Sequence, residues 1–146
     1  MVTIKKISVN ELPKLVQMAY EGDGELIKYA PAHRSDYMSN VNGELFNIYE
    51  LAQDKRMRYY KVIYQKKPIG YFVAFENVLY SFSINIKYRR KDILLSWWQE
   101  LTKTFNKGFL CYLDSINERA INFLEKNRMK IENINKENNV TTLVNY

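Results

Sequence analysis

Ile84-Asn85-Ile86-Lys87-Tyr88-Arg89-Arg90-Lys91-Asp92-Ile93-Leu94-Leu95 changes its period in the middle. Up to Lys87 the run belongs to a β-forming stretch over Val78–Lys87, with Leu79, Phe82, Ile84 and Ile86 available to a core. From Lys91 the apolar residues Ile93, Leu94, Trp97, Trp98, Leu101 and Phe105 recur at helical spacing. The spacing predicts a helix over Lys91–Asn106, stopped by Lys107-Gly108. Phe109–Asp114 then reads as a buried strand. A strand, a helix and a second strand in succession require a crossover, so the two strands are expected to lie parallel. Trp97 and Trp98 stand about 100° apart on a helix. One belongs to the core stripe; the other is open to core burial as well or to a second surface.

Working outward, Asn117 begins a helix whose apolar face is Ala120, Ile121 and Leu124. Met129–Asn133 and Val140–Asn145 follow as strands around the polar turn Lys136-Glu137-Asn138-Asn139. Toward the N-terminus, Arg58–Gln65 and Ile69–Phe75 form a hairpin about Lys66-Lys67-Pro68, and Asn77 turns the chain into the next strand. Val2–Val9 alternates as a strand. Asn10 offers a cap to a helix with Pro13 in its first turn and Leu12, Leu15, Val16 and Ala19 on one face. Gly22-Asp23-Gly24 ends it, and Glu44–Asp54 reads as a further helix. The order β-α-α-β-β-β-α-β-α-β-β implies an α+β fold. We expect a mixed, mostly antiparallel sheet of six or seven strands with helices on both faces.

The chain of 146 residues is expected to form one domain over 1–146, because most domains run to about 100–200 residues. Hydrophobic residues at 47% and charged ones at 26% exclude a wholly disordered or collagen-like chain. The balance of 22 Lys and Arg against 16 Asp and Glu gives +6, which suits a phosphate-bearing ligand, nucleic acid or an acidic partner without choosing among them. One cysteine, Cys111, allows no intramolecular disulfide and no multi-cysteine zinc site, and it reads as a core thiol. His33 is the only histidine and lies in the least patterned segment, so a Ser–His or Cys–His dyad and a metal centre both lack support. No apolar stretch is long enough to span a bilayer, and no leader-like segment opens the chain. A cytoplasmic protein with no membrane partner is expected.

The chemistry concentrates at Tyr88-Arg89-Arg90-Lys91-Asp92. The first N–H groups of a helix are unpaired and carry the positive end of its dipole. Three basic residues beside that end repel one another, and an anion relieves the repulsion. A plain solvated basic turn is the alternative reading of the same residues.

The stretch from Ile84 to Leu95 resembles the strand-to-helix segment of the GCN5-related N-acetyltransferases (GNAT superfamily). Asn117-Glu118-Arg119-Ala120-Ile121-Asn122-Phe123-Leu124-Glu125-Lys126-Asn127-Arg128-Met129 resembles their second motif, and the element order resembles theirs throughout. The resemblance implies acetyl-CoA as co-substrate, with no metal. It places Ile84 and Ile86 along the pantetheine arm. Arg89, Arg90, Lys91, Asp92, Ile93 and Leu94 form the phosphate turn, and Asn117 lies near the thiol end. It implies acyl transfer to a small-molecule or protein amine, with Glu76 as the candidate base. Asp92 and Leu94 stand where the family carries glycine, Leu124 where many members carry tyrosine, and Arg128-Met129 where they close on Gly-Phe. These departures resemble those of acetyltransferase-like proteins of tailed bacteriophages. They imply a second expectation: an inactive member with a structural or assembly role among virion proteins, and a place in the virion. A basic nucleic-acid-binding module using Lys87, Arg89, Arg90, Lys91, Lys103 and Lys107 is the third and least supported.

Overall fold

A computed structural model describes residues 1–23 and 54–146. The expected helix over Glu44–Asp54 falls almost wholly outside the described residues, and so does His33. Seven strands form one sheet: β1 (Val2–Ile7), β2 (Met57–Tyr64), β3 (Lys67–Phe75), β4 (Val78–Ile84), β5 (Leu110–Asp114), β6 (Lys130–Asn135) and β7 (Val140–Val144). Their spatial order is β1-β2-β3-β4-β5-β7-β6. Every neighbouring pair is antiparallel except β4 and β5, which run parallel as the crossover demands. The described helices are α1 (Leu12–Tyr20), α2 (Lys91–Thr102) and α3 (Glu118–Lys126).

The sheet has a core on each face, so the expected α+β architecture with helices on both sides is the one observed. Leu12, Leu15, Val16 and Ala19 of α1 pack on Ile7, Met57, Tyr59, Tyr71 and Val73. On the opposite face Ile93, Trp97, Trp98 and Leu101 of α2 join Ile121 and Leu124 of α3 over Val62, Phe72, Leu79 and Cys111. Val2 N–H donates to Ser96 Oγ at 3.0 Å, which ties α2 across to the edge strand. Trp98 does not cover a second surface. Both tryptophans are buried, because α2 is flanked by the sheet on one side and by Phe123 of α3 on the next.

Several boundaries differ from expectation. The β2–β3 turn is Gln65-Lys66, both left-handed at φ 50° and 66°, and Pro68 lies inside β3. This is the two-residue loop that a tight hairpin prefers. Asn10 caps nothing: Val9–Glu11 is a 3-10 turn, and Glu11 precedes α1 with no side-chain cap. Helix α2 stops at Thr102, well before Lys107-Gly108. Gly108 instead admits the ring of Tyr146, which would collide with any Cβ there. Strand β4 ends at Ile84, not Lys87. Asn85 breaks it by accepting from Lys87 N–H at 3.0 Å, which starts a 3-10 turn over Ile86–Tyr88. Ile86 is therefore 37% exposed and contributes little to the core.

Candidate functional site

The parallel pair is short. Strands β4 and β5 meet only at Val78–Leu110 and Leu79–Cys111. Beyond these pairs β4 follows β3 as far as Gly70–Ile84, while β5 follows β7 as far as Asp114–Val140. Each strand keeps its outer partner and loses the inner one. The result is a wedge, closed near Val78 and open toward Ile84 and Asp114. Along Tyr80–Ile84 and Tyr112–Asp114 the backbone groups that would have bonded across the pair need other acceptors and donors.

The α2 and α3 face of the wedge is floored by aromatic rings. Trp97 lies between Phe82 of β4, at 5.7 Å between centroids, and Phe123 of α3, at 5.8 Å. Trp98 meets Phe123 edge-on at 5.6 Å and Phe109 at 5.8 Å. Trp97 is 2% exposed, and its Nε1–H is buried with no hydrogen-bond partner among the described residues.

The open end is the turn singled out in the sequence. Asn85 anchors it, its Nδ2 donating to Met18 O of α1 at 2.7 Å. Arg90 occupies the N-cap of α2 in extended backbone, with no side-chain cap. Arginine has no acceptor to offer, so the first-turn N–H groups of α2 stay uncapped by any side chain. Helix α3 is the contrast: Asn117 Oδ1 accepts from Ala120 N–H at 3.2 Å. Arg90 reaches out over Tyr64, donating to its hydroxyl at 3.1 Å, and pairs loosely with Asp92 at 3.6 Å. Lys91 is exposed. Asp92 puts an acid in the first turn, where the dipole favours it.

Arg89 turns inward. Its Nε donates to Ile84 O at 2.7 Å, and its Nη2 lies 2.8 Å from Asp23 Oδ2. Arg119 Nη2, from the first turn of α3, donates to the same oxygen at 2.9 Å. Asp23 is nearly buried, with 2% of its side chain exposed. Burial alone would raise its pKa, but the hydrogen bond from Arg119 and the charge of Arg89 outweigh it and hold the carboxyl below its ordinary value. Burial pulls the Arg89 guanidinium down from its ordinary value, against the opposing charge of Asp23.

Arg89, Arg90, Lys91 and Asp92 thus stand together at the mouth. Ile84 is buried there and Ile86 lies beside it, half exposed. Ile93 is buried under α2 and Leu94 is half buried. Asn117 is engaged as the cap of α3. Glu76 stands at the other end of β4, in the turn before Val78, with φ 51°. Its carboxylate accepts from Arg56 Nη1 at 3.0 Å and its carbonyl from Arg58 Nη2 at 2.9 Å. A depression of about 380 Å³ adjoins it, lined by Arg58, Asn77, Phe105 and Lys107 among others. Cys111, the β5 member of the last bridging pair, is buried, and burial pushes its thiol up to about 12. Asp23 and Arg119 escaped the sequence reading. They are 96 residues apart, and Asp23 looked like part of a helix stop. Among the described residues no group of His, Cys, Asp and Glu could hold a metal, and no helix is long and apolar enough to cross a membrane.

No family model matches the chain, and no curated protein matches it. Solved structures do. An acetyltransferase from Thermus thermophilus superposes with a TM-score of 0.69 at 11% identity, over 99% of this chain and 96% of that one. An aminoglycoside acetyltransferase solved with coenzyme A and kanamycin gives 0.68 at 15% identity, over 99% and 94%. An acetyltransferase from Salmonella typhimurium that modifies the N-terminal serine of a 50S ribosomal subunit protein gives 0.67 at 12%, over 98% and 93%. At these identities the likeness is one of fold: the chain has the α+β fold of the GCN5-related N-acetyltransferases.

Proposed function

We propose that the protein is an N-acyltransferase that carries an acetyl group from acetyl-CoA to a primary amine of a small molecule or a protein. The observation that carries this reading is the wedge itself. A parallel pair that separates after two bridges, and ends in a helix N-terminus with no side-chain cap and three basic residues, accepts an extended amide-bearing arm capped by phosphates. The structural neighbours solved with coenzyme A or acetyl coenzyme A support it.

In this reading the N–H groups of Lys91, Asp92 and Ile93 hold the diphosphate, and Arg90 and Lys91 add charge from the solvent side. Ile84 and Ile86 flank the arm, whose amides bond to the inner edges of β4 and β5. Asn117 closes the thiol side from the cap of α3. The thioester supplies an activated acyl carbon. The proton that the attacking amine must lose, as its nitrogen bonds to that carbon and the carbon–sulfur bond breaks, passes along a water chain, with Glu76 at the far end of β4 from Asn117 as its final acceptor. Leu124 has no proton to give the departing thiolate, so solvent supplies it. The absence of glycine at Asp92 and Leu94 makes the turn bulkier and costs some close approach to phosphate.

Calorimetric titration with CoA and acetyl-CoA tests the reading. Micromolar binding is expected, weakened at least tenfold by Arg90→Glu. No heat at millimolar CoA would overturn it and leave the fold in a non-catalytic role such as virion assembly.

A further inference from the structure

We infer that Tyr112 and Asp114 of β5 select the acceptor, and that the acceptor is a small diamine. One nitrogen passes between Tyr80 and Tyr112 to the thioester, while the other, as an ammonium, pairs with Asp114. The inference deepens the acyltransferase reading and rests on it.

The last bridge between β4 and β5 is Leu79–Cys111, and both side chains belong to the core on the α2 and α3 face. Tyr80 and Tyr112 are the next positions along the two strands, where the gap begins. Alternation along β5 sends Tyr112 to the opposite face of the sheet. In β4 a bulge adds Tyr80 as an extra residue between the pairs Val73–Ser81 and Ala74–Leu79, and its ring packs against the α1 core on that same opposite face. The two tyrosines thus flank the deepest point of the gap from the side away from α2 and α3. A thioester whose phosphates rest at the mouth ends there.

The α1 core takes in no residue of β5, β6 or β7 among the described residues. Tyr112 is 55% exposed, so its ring serves no core. Its neighbours across the strands, Thr142 and then Asn133, extend a polar surface beside it. Asp114 stands two residues further along β5 on the same face, about 7 Å nearer the mouth, a span that a diamine of roughly four or five carbons covers. It is half buried, and its Oδ1 accepts from Ile116 N–H at 3.1 Å. Among the described residues no cation pairs with it. Lys130 lies at the far end of this face, across from Val144. A carboxylate and an exposed tyrosine ring at this spacing select a cation. The attacking nitrogen must be neutral when it bonds to the acyl carbon, so the charge that Asp114 reads belongs to the second nitrogen. A monoamine reaches the thioester without that contact.

The test measures thiol release from acetyl-CoA with 1,4-diaminobutane and with butylamine, for wild type, Asp114→Asn and Tyr112→Leu. Thermal melting checks that each variant is folded. Wild type is expected to prefer the diamine in kcat/KM by about fivefold, the scale of one partly exposed ion pair. Asp114→Asn is expected to abolish that preference by raising KM for the diamine alone, with kcat and both butylamine constants unchanged. Tyr112→Leu is expected to raise KM for both amines. A preference that survives Asp114→Asn overturns the inference. Should Asp114→Asn fail to fold, wild type decides: no preference for the diamine overturns it. Turnover of neither amine by a protein that binds CoA overturns the inference and leaves the acyltransferase reading standing. If CoA does not bind, that reading falls, and saturation-transfer NMR with 1,4-diaminobutane decides the cation site. Binding lost in Asp114→Asn keeps the site, and no binding to wild type overturns it.

Discussion

Asp23 stays ionised out of water because two guanidiniums face one of its oxygens. Its carboxyl titrates below the ordinary value of 3.8 in the folded chain. A group whose folded pKa is depressed stabilises the fold above its unfolded pKa, and that contribution is lost as pH falls through the folded value. Wild type is therefore expected to exceed Asp23→Asn in stability near neutral pH, with the difference shrinking once pH drops below 3.8. Urea unfolding of both at pH 7 and at pH 3 measures it; a difference that persists undiminished at the lower pH would contradict the assignment. Cys111 shows the other kind of residue, one legible from its neighbours alone. An apolar strand context announced a buried thiol, and the thiol is buried. The Asp23 contact had no such signature, because nothing near it in sequence marks its two partners.

Helices α2 and α3 begin in opposite ways. Asn117, which the sequence placed at the start of the helix, caps α3 with its side chain, whereas Arg90 leaves α2 uncapped by a side chain. Most helix N-termini carry Ser, Thr, Asp or Asn because the cap is worth about 1 kcal/mol. Arg90→Ser is expected to stabilise the protein by about that amount. The contacts it removes, to Tyr64 and Asp92, are exposed and contribute little. The same change is expected to weaken CoA binding. Denaturant unfolding and calorimetry on one variant read both effects, and a loss of stability with unchanged binding would refute the account. Element types were legible from periodicity, but ends were not. Strand β4 stops where the Asn85 side chain bonds to the backbone of Lys87. Such local competition leaves no trace in an apolar pattern.

Across the whole molecule the wedge divides the sheet into β1–β4 and β5–β7, held together there by two parallel bridges and by the aromatic layer of α2 and α3. If an arm occupies it, alternate amides of β4 between Tyr80 and Ile84 gain partners. Hydrogen exchange with and without CoA is expected to show slowing there and in Tyr112–Asp114, with β1 and β2 unchanged. Uniform slowing through the sheet would point to general stabilisation instead. The sequence by itself determined the element order of the described residues, the parallel crossover, the two-faced core and the basic turn, because each follows from periodicity and end signals within a few residues. The tertiary structure alone decided where β4 and β5 part, that α3 packs against the second tryptophan, and that Asp23 bridges Arg89 to Arg119. Those features depend on contacts between distant segments, and a side chain's distant neighbours are set by the packing of the whole, not by the residues beside it.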